Sequence, residues 1–259
     1  LVHALQDQYL PLDSILKDRR DNDRSTAAQA ILEGQANYAS IAMLQGAEVA
    51  AMPEFWAEFR KTGDQLLGGG EFAKVPAVVR EGLLFPYLSG AEFMRWWLQS
   101  PLADTLPYGP RLPSSTEQIL FPERYLAGDR PVPVRFTDSV PGALEDVLGE
   151  LEIRLMAQEL TGVRAATGVV PLGWAGDRYR LQGAKGEESL VWYAVWDAAH
   201  ARDRFVQGTG ARLVARRRAG YRSALDTLAV GGRPGLRFVT APEGWTGWST
   251  LPAAEIAEK

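Results

Sequence analysis

The feature that most constrains the fold is a change of hydrophobic period along the chain. Up to about residue 165 the apolar residues recur at helical spacing. Beyond it, "DRYRLQG" alternates and "SLVWYAVWD" runs almost continuously apolar. A period near 3.6 lays side chains along one helix face, and a period of 2 sends them to the two faces of a strand. A chain carrying both in succession is expected to be α+β. We expect a mainly helical part over 1–165, and a small antiparallel sheet with one main helix over 166–259.

The elements follow from start and stop signals. A helix is expected over residues 1–9, then a polar loop, "PLDSILKDRRDNDRS". Ser25 or Thr26 is placed to cap a second helix, "TAAQAILEGQANYASIAMLQG". A third covers "PEFWAEFRKTGDQLL" and ends at glycines 68–70. A fourth, "LLFPYLSGAEFMRWWLQS", is entered through Pro86 and stops before Pro101. A loop rich in Pro, Gly and Ser runs from Pro101 to about Pro141, with enough apolar and aromatic anchors to order it. "GALEDVLGELEIRLMAQELTG" reads as a helix with Leu144, Val147, Leu148, Leu151, Leu155 and Met156 on one face. The strands "DRYRLQG" and "SLVWYAVWD" meet at the turn "AKGEE". A helix over "AAHARDRFVQGTGARLVARRR" is expected to break near Gly208 and Gly210, and "GLRFVTAPEG" closes as a strand.

Composition removes some function classes. A net charge of -4 argues against a nucleic-acid binder, which usually shows a basic face, and Arg216, Arg217 and Arg218 read as a solvated helix end. No apolar run approaches the roughly 18 residues needed to span a bilayer. With no cysteine there is neither a disulfide framework nor a thiolate metal site.

The chemistry concentrates in two stretches. "LVHALQDQ" begins a helical pattern with neither an initiator Met nor a capping residue in front of it. If His-Glu preceded Leu1, the stretch would read H-E-L-V-H-A-L-Q-D-Q. In that zinc signature two His four apart share the ion from one helix face, and the Glu between them is the general base. His3 is then the second His. Such a site needs a further protein ligand, and Glu33 in "AILEGQANYA" is the candidate. It follows Ala27, Ala28, Gln29, Ala30, Ile31 and Leu32, where a carboxylate is costly to bury unless a cation or hydrogen bonds compensate. The alternative is a Glu33 facing solvent on an amphipathic helix. Asp7, four residues after His3, falls on the same helix face and is placed to hydrogen-bond a ligand His or an active-site Arg, or to serve as a surface carboxylate.

"LVHALQDQ", "ILEGQANYA" and "FPYLSGAEFMRWW", in this order, resemble the gluzincin metallopeptidases. More narrowly they are similar to a bacterial family of zinc peptidases with H-E-[LV]-x-H-A-L-Q-D-Q followed by A-L-x-E-G-[DEQ]-A. "PSSTEQILFPERYLAG", "WAGDRYRL" and "WYAVWDAAHARDRF" look like downstream signatures of that family, so the likeness extends from residue 1 to about 207. The departure is the absent His-Glu, read as a truncation. The resemblance implies a zincin-like fold for the helical part and Zn2+ held by an upstream His, His3 and Glu33, with water in the open position. It also implies a peptide or protein substrate, and a fragment that is inactive alone. Tyr87 lies in the segment that in similar gluzincins approaches the cleft, where its phenol would stabilise an oxyanion; the other reading is a packed Tyr.

Thr116, Glu117 and Arg124 in the long loop are candidates to line the cleft. Asp177 and Arg178 read as a tight turn or buried pair entering a strand, Tyr38 as core, and His200 as incidental. The sequence leaves the compartment open, with a secreted or cell-envelope location favoured. The competing function is a non-catalytic binding or scaffold domain that keeps the zincin shape.

Overall fold

The structure, a computed structural model, describes residues 2–16, 21–67, 69, 74–162 and 172–257. It is a mixture of helices and antiparallel sheets, as an α+β reading requires. The chain divides into two compact units, Leu1–Asp129 and Arg130–Lys259. The boundary expected at 165/166 falls outside the described residues.

The first unit is helical: α1 (Val2–Tyr9), α2 (Leu12–Leu16), α3 (Asn22–Gln45), α4 (Ala47–Ala51), α5 (Pro53–Leu67), α6 (Ala77–Gln99), α7 (Thr116–Leu120) and α8 (Pro122–Leu126). The expected loop after α1 thus contains α2. The cap of α3 is neither Ser25 nor Thr26. Asp21 accepts from the Arg24 backbone N–H at 2.8 Å, which satisfies a free donor of the first turn one turn earlier. Ser25 instead turns its hydroxyl back to the Asp21 carbonyl, 2.9 Å away. The third expected helix matches α5, and part of its glycine stop lies outside the described residues.

Pro86 does not open α6; the helix runs through it from Ala77. An internal Pro costs about 3 kcal/mol through a lost hydrogen bond and a clash with the preceding turn. Packing against α3 offsets that cost. Ala27, Ala30 and Ile31 of α3 are fully buried, as are Ala91 and Phe93 of α6, and the small residues let the two backbones touch. A Cβ on Gly34 would lie 2.2 Å from the Gly90 carbonyl carbon, and one on Gly90 would lie 2.0 Å from the Ala30 carbonyl oxygen. Only glycine fits at either position. Phe93, Trp96, Trp97 and Tyr125 then stack into an aromatic cluster that anchors α8 to α6.

The second unit holds β1 (Val134–Phe136), β2 (Leu144–Asp146), α9 (Gly149–Thr161), β3 (Trp174–Gln182), β4 (Ser189–Trp196), α10 (Ala199–Ala215), β5 (Tyr221–Val230), β6 (Arg233–Pro242) and β7 (Ala254–Ile256). The larger sheet is antiparallel with strand order β2-β3-β4-β6-β5, and β1 pairs with β7. Trp192, Ala194, Trp196, Leu236 and Phe238 form a core with residues of α9 and α10. Val191, Tyr193, Val195 and Val239 form another with β1, Trp245, Trp248 and Ile256. Buried on both sides, β4 reads as the continuous apolar run seen in its sequence.

Two expectations change here. The helix expected from Gly142 begins only at Gly149, where the backbone reverses with φ 75°, because β2 pairs Leu144 with Leu181 of β3. Leu144 is consequently exposed and leaves the predicted apolar face. The described residues from 172 on hold one main helix, α10, as expected, and α9 also packs on the sheet. Finally, α10 is unbroken at Gly208 and Gly210, since the body of the helix continues against the sheet and Gly210 sits close beneath Leu225.

Candidate functional site

Two helices of the first unit build the candidate site. On α1, the i, i+3 spacing puts His3 and Gln6 on one face. On α3, Leu32, Glu33 and Gln35 face them. His3 Nε2 lies 3.1 Å from Glu33 Oε2, with His3 about half exposed and Glu33 mostly covered. The ring's other nitrogen, Nδ1, is 2.8 Å from Gln6 Oε1. Gln6 is buried and donates through Nε2 to the Leu32 carbonyl at 3.1 Å and to Gln35 Oε1 at 2.7 Å. The buried Tyr108 hydroxyl donates to the same Gln35 oxygen at 2.6 Å. Burial pushes the Tyr108 phenol well above its ordinary pKa, so it stays a neutral donor at every physiological pH.

α3, which carries Glu33, is held against α6 by the Gly34–Gly90 approach and by Asn37, which donates to the Tyr87 carbonyl at 2.9 Å. The structure therefore brings His3 and Glu33 together, at a spacing with chemical meaning. Bonds of about 2.0–2.1 Å to a tetrahedral ion hold its ligand atoms about 3.3 Å apart. A shared proton between imidazole and carboxylate gives a similar distance. Either way the pair suits a cation. Among the described residues, no group of three or more His, Cys, Asp or Glu is placed to hold a metal ion.

The other sequence candidates fall elsewhere. Asp7 is exposed, and the partner of His3 Nδ1 is Gln6, an i+3 neighbour that the sequence reading passed over in favour of the i+4 carboxylate. Tyr87 is placed on α6 near α3 through its backbone, with its side chain 44% exposed. Thr116 and Glu117 are buried and not cleft-lining. Thr116 donates its backbone N–H (3.0 Å) and its hydroxyl to Asp23, which ties α7 to the start of α3, and Arg124 pairs with Asp129 at 2.5 Å. His200 is exposed in the first turn of α10. Gln35 and Tyr108 were also missed; the repeated Gln in "HALQDQ" and "EGQA" was the only signal for a glutamine network, and nothing marked Tyr108.

In the second unit two buried polar groups, Asp177 and Arg180, each have several partners. Asp177, on β3, accepts from the backbone N–H groups of Leu148 and Gly149 (2.9 and 3.0 Å) and from the indoles of Trp174 and Trp192 (both 3.1 Å). Burial pushes its carboxyl up to about 6, while the backbone and indole N–H groups pull the other way. Its expected partner Arg178 turns to Glu145 instead, at 3.4 Å. Arg180 is fully buried over the Phe136 ring, bonded to Glu145 and to the side chain and carbonyl of Asp138 at 2.7–2.8 Å. No helix among the described residues is long and apolar enough to cross a membrane. Comparison with family models, with curated proteins and with solved structures finds no match to this chain.

Proposed function

We propose that the first unit is the metal-binding part of a gluzincin-like zinc metallopeptidase, with His3 Nε2 and Glu33 Oε2 as two protein ligands and a peptide or protein as substrate. The observation that supports this reading is the 3.1 Å approach of those two atoms, from residues 30 positions apart, at the spacing of two ligands on one ion. The metal supplies an activated water and a Lewis acid for the peptide carbonyl. This chain's residues hold and orient: the imidazole offers one nitrogen, the carboxylate one oxygen, and Tyr87 is the candidate donor to the developing oxyanion. The remaining ligand and the general base belong, in this reading, to a His-Glu pair upstream of Leu1. The competing reading is a zincin-shaped binding or scaffold domain without catalysis.

A polypeptide extended upstream to include His-Glu separates the two. It should bind about one zinc per chain and hydrolyse a casein-type substrate. Glu33→Gln should weaken zinc binding, since a neutral amide is a poorer ligand, whereas replacing the upstream Glu by Gln should spare zinc and abolish turnover. A folded, zinc-loaded extended protein inert on peptide substrates would favour the scaffold.

A further inference from the structure

The geometry points to Gln6 as the residue that fixes how His3 presents its imidazole, because hydrogen bonds to the Leu32 carbonyl and to Gln35 Oε1, where the Tyr108 hydroxyl also donates, set its amide. This inference rests on the zinc reading for its purpose but not for its geometry. The Leu32 backbone carbonyl can only accept, so the Gln6 nitrogen must face it at 3.1 Å. That settles the orientation of the amide. Its other N–H goes to Gln35 Oε1 at 2.7 Å, an oxygen also held by the Tyr108 hydroxyl at 2.6 Å. The Gln6 oxygen is thereby turned toward His3 Nδ1 at 2.8 Å and can only accept from it. Nδ1 must carry a hydrogen, and Nε2 is left to face Glu33 Oε2.

With Nδ1 protonated, a neutral ring would set a lone pair against a carboxylate, an arrangement that only a cation relieves. A proton on Nε2 does so by making imidazolium; a metal ion does so by taking the lone pair. Gln6 thus selects the tautomer a metal requires and locks the ring plane, the task usually given to a carboxylate or backbone carbonyl behind a ligand His. Its burial and its two anchored N–H groups make it a rigid support that the exposed Asp7 could not be.

The test uses the full chain and the zinc ion alone. In 1H–15N spectra of the metal-free protein at mildly acidic pH, His3 should show an exchange-protected Nδ1–H, with His200 removed by His200→Gln to leave a single imidazole. Gln6→Met, which fills the same buried space without an acceptor, should lose that protection and lower zinc affinity about tenfold to a hundredfold. Gln6→Leu, a second replacement without an acceptor, should behave as Gln6→Met does. An unchanged Nδ1–H and unchanged zinc affinity in a folded Gln6→Met or Gln6→Leu would overturn the inference. Zinc affinity is read in the chain extended upstream to include His-Glu; if no variant of it binds zinc, the zinc reading falls, and the Nδ1–H signal of the present chain still decides the role of Gln6.

Discussion

Two buried polar networks, one in each unit, end differently. In the second unit Asp177 receives four N–H donors and Arg180 spends its guanidinium on Asp138, Glu145 and a ring face. These bonds tie together β2, β3 and the start of α9. In the first unit the chain of bonds from Tyr108 through Gln35 and Gln6 ends at a half-exposed imidazole facing a carboxylate. A closed network stabilises; a network that ends on two cation-seeking atoms at the surface has valence left over for a ligand. Burial and charge alone would rank Asp177 above Glu33 as a functional group; the four donors that already occupy Asp177 and the exposure of the His3–Glu33 pair reverse that order.

The comparison breaks most sharply at Asp177. Each carboxylate oxygen takes one backbone or helix-start N–H and one indole N–H, so in Asp177→Asn the new amide would meet two donors with a donor. Leaving such groups unsatisfied in the interior is expected to cost about 3–5 kcal/mol. Chemical denaturation should show the loss directly. A cost below about 1 kcal/mol would mean that Asp177 is not the closed node described.

Gly90→Ala comes next. Its Cβ would fall 2.0 Å from the Ala30 carbonyl oxygen, so α3 and α6 must part. Overpacking of this kind is expected to cost about 2–3 kcal/mol in stability. Because α3 carries Glu33 and Gln35, the same change should loosen zinc binding, whereas Asp177→Asn at a denaturant-free temperature where the chain stays folded should not. Equal effects of both on zinc affinity would erase the distinction between supporting and ligating networks.

What the sequence made legible follows from which forces are local. The periods of α5, β3 and β4 stand out because burial on one or both faces is written into every residue of the run. The His3–Glu33 pairing was legible through motif spacing, not through any local signal. The start of α3 was misplaced because Asp21 and Ser25 are equally good caps by composition, and only the backbone position chooses. β5 was missed because "YRSALDTLAV" carries exposed polar residues on an edge strand; its one local signal is Gly231-Gly232, both at positive φ in a two-residue hairpin turn. Pro86 misled because tertiary packing against α3 overrode a helix breaker. Gln6 and Tyr108, 102 residues apart, meet only in three dimensions.

The smallest change to the fold is expected from the most direct test of the function. His3→Ala and Glu33→Gln remove partly exposed groups and should alter stability by no more than about 1 kcal/mol. Zinc added to the chain extended upstream to include His-Glu, and observed at the metal's X-ray absorption edge, should show imidazole nitrogen and carboxylate oxygen at about 2.0–2.1 Å. The imidazole signal should fall in His3→Ala, and the affinity should fall in Glu33→Gln. A zinc spectrum and affinity identical in the parent chain and in both variants would contradict the assignment of the ion to this pair.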